Sequence, residues 1–247
     1  MASPVNAAVD SHLAPRSQGP DRSKPSDPQR QLQLLEGVRL FRAEQYEDAL
    51  RVFQKVDAEE QPADIGFYLG MVLHKLGRHA PALAAFRSAR RSGLREPVAD
   101  YYSAVSCYRL GMATRARRGF TSLVSGESSA PGSAPPLGPR LQQGARNFLH
   151  ALQLAATDAV PDAGAAPTRL RIERSRHAAE SALASDDADT TLEWLEEAIL
   201  NLEEISDPRV RAEQSEELRA VLGRLRTKLG SRVRSTDVNA LEQRLAH

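Results

Sequence analysis

Of the 247 residues only one, Cys107, is a cysteine. That excludes an internal disulfide framework and any zinc site built from several cysteines. Aromatic residues make up 5% of the chain, with a single tryptophan, Trp194. A core so poor in rings must rest on Leu, Ala and Val. This favours close-packed helices of small residues over an aromatic-cored sandwich. Lysine is scarce, with Lys24, Lys55, Lys75 and Lys228 set among 33 basic residues. The net charge is +1, so no global field directs the chain to nucleic acid or to a membrane. No apolar run approaches the length of a membrane span. Residues 1–29 hold Pro4, Pro15, Pro20, Pro25 and Pro28 and lack the apolar stretch of a signal peptide. The tail is therefore expected to be disordered, with a docking or regulatory tail as the alternative, and the chain to be cytoplasmic.

What the sequence does contain is a repeat. Ala49-x3-Phe53, Ala82-x3-Phe86 and Ala116-x3-Phe120 recur at spacings of 33 and 34 residues. Twelve residues before each alanine stands a small residue, Gly37, Gly70 or Ala104. Three residues further on come Leu40, Leu73 and Cys107. The turns align as Lys75-Leu76-Gly77 and Arg109-Leu110-Gly111. Small residues on both helices of a hairpin allow close approach, and the phenylalanine fills the gap left between hairpins.

Residues 30–125 resemble the tetratricopeptide repeat family, a helix–turn–helix unit of about 34 residues. The sequence departs from that pattern in lacking its early tryptophan and in having the closing proline displaced to Pro62 and Pro97. The resemblance implies an all-α fold of stacked hairpins, an α-solenoid in which no hairpin buries its apolar face alone.

The remainder of the chain also reads as helical. Residues 125–139 form a Ser/Pro/Gly linker. Leu141, Ala145, Phe148, Leu149 and Leu152 then follow at helical spacing, which predicts a helix over 140–156 capping the third repeat. This places three hairpins and their cap in 30–156, a second linker in 157–168 and a helical hairpin or bundle in 169–247. Thr168 is the expected N-cap of a helix over 169–184. Thr190 and Glu193 have capping-box spacing for 190–205, and Asp207-Pro208 opens a helix that Gly230 stops. Residues 236–246 carry Val238, Leu241 and Leu245 on one face of a last short helix. Residues 169–205 read either as a degenerate fourth repeat, with Ala179, Ala182, Leu195 and Ala198 in place but Thr191 replacing the key alanine, or as a bundle whose seam is Leu192, Leu195, Ile199 and Leu202.

Catalytic and cofactor motifs are missing. There is no phosphate-binding glycine loop, no H-E-x-x-H and no G-x-S-x-G. The six histidines have no ligand spacing, and Cys107 occupies an apolar repeat position without a neighbouring base. The many carboxylates of 173–217 read as a solvated helical face. The expectation is a protein that is not an enzyme and uses no metal, no cofactor and no small-molecule substrate.

In the tetratricopeptide family the first helices of successive hairpins line a peptide-binding groove. Carried onto this chain, that register names Leu34, Val38, Phe41 and Arg42, then Phe67, Met71, His74 and Lys75, then Tyr101, Val105, Tyr108 and Arg109. The implied groove has an apolar, aromatic floor and one basic residue per repeat, suited to adaptable apolar contacts and to carboxylates. The bland reading makes the rings inter-helix core and the bases a solvated stripe. Val38 and Met71 stand where a clamp for chain-terminal carboxylates would want polar groups. The three repeats with a helical end also resemble chaperones of secretion translocators.

Charge is segregated. Residues 31–125 carry 14 basic and 10 acidic residues, whereas 169–247 carry 13 basic and 16 acidic. Nine carboxylates and no base lie in 186–207, while Arg115, Arg117 and Arg118 cluster in the third repeat. The acidic stretch is either solvated or folds back onto basic repeats. The expected function is a protein–protein interaction module: an adaptor, assembly factor or chaperone-like protein that takes a partner peptide. The alternatives are a regulatory subunit acting through its acidic helices and an arginine-driven nucleic-acid binder, the latter without a recognisable nucleic-acid-binding signature.

Overall fold

The computed structural model describes residues 28–55, 63–92, 97–126, 137–157, 166–230 and 235–246. The proline-rich tail before residue 28, most of the Ser/Pro/Gly linker (127–136) and residues 158–165 of the second linker lie outside this set. Every regular element among the described residues is an α-helix. In chain order these are α1 (Pro28–Arg42), α2 (Tyr46–Lys55), α3 (Ala63–Lys75), α4 (His79–Arg91), α5 (Pro97–Arg109), α6 (Ala113–Ser125), α7 (Pro139–Thr157), α8 (Ala166–Ala184), α9 (Ala188–Glu203), α10 (Pro208–Leu229) and α11 (Ser235–Leu245). The architecture is all-α and built from helical hairpins. The chain divides into two compact units, one of Met1–Ser106 with Gly119–His150, the other of Cys107–Arg118 with Ala151–His247.

Four hairpins share one turn. In α1–α2 the N–H of Glu44 donates to Phe41 O and that of Gln45 to Leu40 O. In α3–α4 the pairs are Gly77 to His74 and Arg78 to Leu73, and in α5–α6 they are Gly111 to Tyr108 and Met112 to Cys107. In α8–α9 they are Asp186 to Leu183 and Asp187 to Ala182. Each turn needs one residue in the left-handed region, and φ there is 60°, 74°, 79° and 58°. Gly77 and Gly111 adopt it freely. Glu44 and Asp186 bear a cost of about 1–2 kcal/mol for a Cβ in that region. In this shared geometry Thr191 takes the register place of Ala49, Ala82 and Ala116, and Leu195 that of the three phenylalanines.

In the first unit the small residue and the phenylalanine of the first two repeats are direct partners. A Cβ at Gly37 would stand 2.5 Å from Phe53 Cε1, and one at Gly70 would stand 2.6 Å from Phe86 Cδ1. The ring thus lies over a bare backbone in its own hairpin. It also reaches forward, as Phe53 stacks on Tyr68 at 5.7 Å and 7°. The third hairpin inverts the device: Ala104 on α5 faces Gly119 on α6, whose Cβ position lies 3.0 Å from that of Ala104. Helix α7 then covers the hairpin, with Phe148 parallel to Phe120 at 4.9 Å and Ala145 fully buried. That cap supplies the apolar cover which the last hairpin of a stack otherwise lacks.

The second unit is organised around α9. One core joins Ile172, Ala179 and Leu183 of α8, Leu195, Ile199 and Leu202 of α9, Leu218, Leu222 and Leu225 of α10, and Val238, Leu241 and Leu245 of α11. Two helix starts differ from the sequence expectation. Helix α8 begins at Ala166, so Thr168 lies inside it and accepts a hydrogen bond from Arg171 instead of capping. Helix α9 is capped by Asp187, whose carboxylate accepts from Thr190 N at 3.0 Å and from its hydroxyl at 2.7 Å. Thr190 is the third helical residue, because the left-handed residue at 186 starts the helix earlier than its apolar pattern does. Asp187→Ala is expected to lower stability by about 1 kcal/mol in urea unfolding, the usual loss for an N-cap acceptor. Asp207 caps α10 through Arg209 N at 2.9 Å with Pro208 at its first position, and Gly230 ends it with φ of 47°, as expected from the sequence.

Candidate functional site

The twelve groove positions divide by accessibility. Phe41, Phe67, Met71, Tyr101 and Val105 are buried, with Met71 fully inaccessible. Leu34, Val38, His74 and Lys75 are half-buried, and Arg42, Tyr108 and Arg109 are exposed. The buried aromatics pack among themselves, with Phe67 tilted against Phe86 and Tyr101 edge-on to Phe120. Their place is the core, because the helix spacing that lines a groove also brings a large side chain against the neighbouring hairpin.

The accessible positions in the first unit lie on α1 and α3. Arg42 and Lys75 end these two helices in the same register. Burial pushes the Lys75 ammonium below its ordinary range, and the nearby Glu44 carboxylate acts against that shift. His74 is held by a 2.8 Å hydrogen bond between its Nδ1 and Ser106 Oγ, and its ring lies 5.0 Å from Tyr102 and 5.2 Å from His79. Ser106 has no exposed surface. Its hydroxyl thus positions an imidazole and has no reach to a substrate. Tyr108 and Arg109 belong to the second unit, on the segment Cys107–Arg118.

That segment carries a polar network with α9, whose acidic stretch was expected either to be solvated or to fold back onto basic repeats; several of its carboxylates are paired with Arg115, Arg117 and Arg118. Glu193 and Asn201 are fully buried and Glu197 is nearly so, at 3% exposure. The Glu197 carboxylate accepts the N–H groups of Thr114 and Arg115, each at 3.0 Å. The Thr114 hydroxyl donates to Asn201 Oδ1 at 2.7 Å. The Arg115 guanidinium donates to Glu193 and lies 3.2 Å from Glu196. Burial alone would favour neutral Arg115, but the charges of Glu193 and Glu196 raise it above its ordinary value. Cys107, beside them, is pushed up to about 12 by burial and stays a neutral thiol.

Toward the rim the pairs are exposed. Arg117 meets Glu204 at 2.6 Å, Arg118 meets Glu203 at 3.0 Å, and Arg244 meets Glu203 at 2.6 Å. Burial would raise Glu203, but hydrogen bonds from Arg244 and Arg118 hold it below the usual carboxylate range. Two signals in the sequence bear on this network: the segregation of the acidic stretch 186–207 from the Arg115, Arg117 and Arg118 cluster, and Glu193, Glu197 and Asn201 at intervals of four, a polar line inside an apolar helix.

Among the described residues, no group of three or more His, Cys, Asp and Glu side chains is placed to hold a metal ion. No described helix is long and apolar enough to cross a membrane. No protein-family model matches the chain, and no curated protein matches it. Among solved structures it is similar to PcrH from Pseudomonas aeruginosa, with 22% identity and a TM-score of 0.42 over 53% of this chain and 96% of that one. It is also similar to PcrH in complex with the chaperone binding region of PopD, with 25% identity and a TM-score of 0.44 over 55% and 98% of the two chains. The TPR2AB-domain:pHSP90 complex of yeast Sti1 is a third, at 14% identity and a TM-score of 0.43 over 88% of this chain and 76% of that one.

Proposed function

We propose that the chain is a non-enzymatic protein-interaction module that takes a partner peptide on the first helices of its N-terminal hairpins. The observation that carries this reading is the in-register pair of accessible bases, Arg42 and Lys75, beside the half-buried Leu34 and Val38. Two cations at one repeat position, next to apolar side chains that remain partly open, suit a peptide carrying both carboxylates and apolar residues.

The test must leave the core intact. A Leu34→Gln/Arg42→Glu/Lys75→Glu variant changes accessible positions alone. With unchanged circular dichroism, it should retain at least about tenfold less of the partners captured by the wild type from the native cell. Reversing two charges and removing one apolar contact together cost more than the 1.4 kcal/mol that a tenfold change represents. The same captured proteins at the same yield would refute the site.

The alternative of an acidic helix acting on a partner is less well supported. Carboxylates of α9 and of Glu204, which follows it, are engaged within their own unit by Arg115, Arg117, Arg118 and Arg244. The same pairs weigh against reading these arginines as a phosphate footprint.

A further inference from the structure

Two hairpin turns hold their left-handed place with an acid where the others use glycine. Gly77 and Gly111 adopt it freely, but Glu44 and Asp186 carry a Cβ there, at φ of 60° and 58°. Each stands two residues past the end of the helix before it, Glu44 after α1 and Asp186 after α8. A strained position kept twice in one register points to a role for the side chain. For Asp186 that role is visible. Its carboxylate lies 2.7 Å from Nζ of Lys228, on α10, the helix that follows the hairpin. The same ammonium donates to Leu183 O at 2.8 Å and to Ala184 O at 3.3 Å, the last carbonyls of α8. Three donors on one nitrogen thus meet three acceptors, a match that suits an ammonium better than a planar guanidinium.

The first unit repeats this register. Lys75 stands two residues before Gly77 at the end of α3, as Lys228 stands two residues before Gly230 at the end of α10. Helix α3 follows the α1–α2 hairpin as α10 follows α8–α9. The Glu44 charge reaches the Lys75 ammonium. Where the turn has Gly77 in place of an acid, the next such helix, α5, ends in Arg109 and not in lysine. The chain has only four lysines, so composition alone does not bring acid and lysine together in two hairpins. The two pairs differ in what surrounds the lysine. Lys228 closes on carbonyls of its own unit, whereas Lys75 is one of two bases beside the half-buried Leu34 and Val38.

We propose that Glu44 is a built-in competitor at the peptide site: its carboxylate attends the Lys75 ammonium when no partner is bound, and a partner's carboxylate must displace it. Resting on the peptide-site reading above, this competition sets what the site selects. Two cations, Arg42 and Lys75, and one anion, Glu44, leave a single net positive charge. Such a site favours a peptide that brings one carboxylate beside apolar residues, and the Glu44 charge works against a run of acids. Without Glu44 the same helices present two cations and no competing carboxylate from this turn, so acidic peptides bind more tightly.

The test uses NMR of the full chain with isotope-labelled lysine, whose four lysines give four sets of side-chain signals. Without peptide, Glu44→Gln should shift the Lys75 signals and leave those of Lys55 in place, just as Asp186→Asn should shift those of Lys228. An unmoved Lys75 would overturn the proposal and leave the peptide-site reading untouched. The probe is an end-capped hexapeptide of alternating Leu and Asp, with its Leu and Asn counterpart as control. The Asp peptide should bind Glu44→Gln about two- to fivefold more tightly than the wild type, the range for an exposed ion pair. The Asn peptide should bind the two alike. Equal affinity of the Asp peptide for both proteins would overturn the proposal. Glu44→Gly, which relieves the left-handed backbone, should give the same gain and decides the matter if Glu44→Gln does not fold. If the Leu34→Gln/Arg42→Glu/Lys75→Glu variant binds the Asp peptide as the wild type does, or if no form binds it, the peptide-site reading fails and this competition fails with it.

Discussion

Arg115→Met is expected to destabilise the C-terminal unit by about 3–5 kcal/mol, the usual loss when one partner of a buried ion pair is removed. The reason lies less in the lost attraction than in what remains. Glu193 has no exposed surface and Glu197 almost none, and removing the guanidinium takes away the cation that Glu193 pairs with and whose charge reaches Glu197. The chain supplies its own reporter. Its one tryptophan, Trp194, is on α9 and packs partly buried against the core of that unit. Urea unfolding followed by tryptophan fluorescence should show the midpoint fall sharply in Arg115→Met. Adding Glu193→Gln should recover part of the loss, because one stranded charge is then neutral. An unchanged midpoint would show that the carboxylates reach water or another cation. Arg117→Met is the contrasting control. Its pair with Glu204 is exposed, and removing it should cost at most about 1 kcal/mol.

Phe86→Ala should cost about 3–5 kcal/mol, measured by native-state hydrogen exchange of α3 and α4. Phe86 lies over Gly70, so truncation opens a cavity on bare backbone that cannot easily collapse. The reciprocal change tests the same contact from the other side. Gly70→Ala gains up to about 1 kcal/mol of helix propensity. However, its Cβ would stand 2.6 Å from the Phe86 ring, and such overpacking costs about 1–3 kcal/mol. The net effect should be a loss, reversed in sign when Gly70→Ala is made together with Phe86→Leu, whose side chain leaves room for the methyl group. Two single losses that simply add would show that the residues do not touch.

The hairpin register was legible in the residues because it is a short-range regularity. The Ala-x3-Phe spacing, the small residue twelve positions earlier and the glycine turns at 77 and 111 each act within one helical hairpin. The structure shows φ of 74° and 79° at the two turns, and it moves the role of the ring: Phe53 and Phe86 lie over Gly37 and Gly70 of their own hairpins and do not only fill the gap between hairpins. Asp207-Pro208 was legible for the same reason, since a cap and its acceptor are two residues apart.

The candidate site was less legible. Leu34, Val38, Arg42 and Lys75 are at least partly accessible, but Phe41, Phe67, Met71, Tyr101 and Val105 are core residues. Helical spacing assigns a side chain to a face. Whether that face meets solvent or the next hairpin depends on how closely the hairpins stack.

The sequence by itself determined that this chain is a stack of helical hairpins and where they turn. Those choices are set by backbone sterics and by partners at most a few turns away. Only the tertiary structure decided what the acidic stretch 186–207 does. Its central carboxylates are buried against the first turn of α6, more than 75 residues earlier in the chain. A solvated row of glutamates and a buried, paired one have the same helical period. What separates them is whether an arginine and two unsatisfied N–H groups arrive from elsewhere in the chain, and that is a matter of packing, not of spacing.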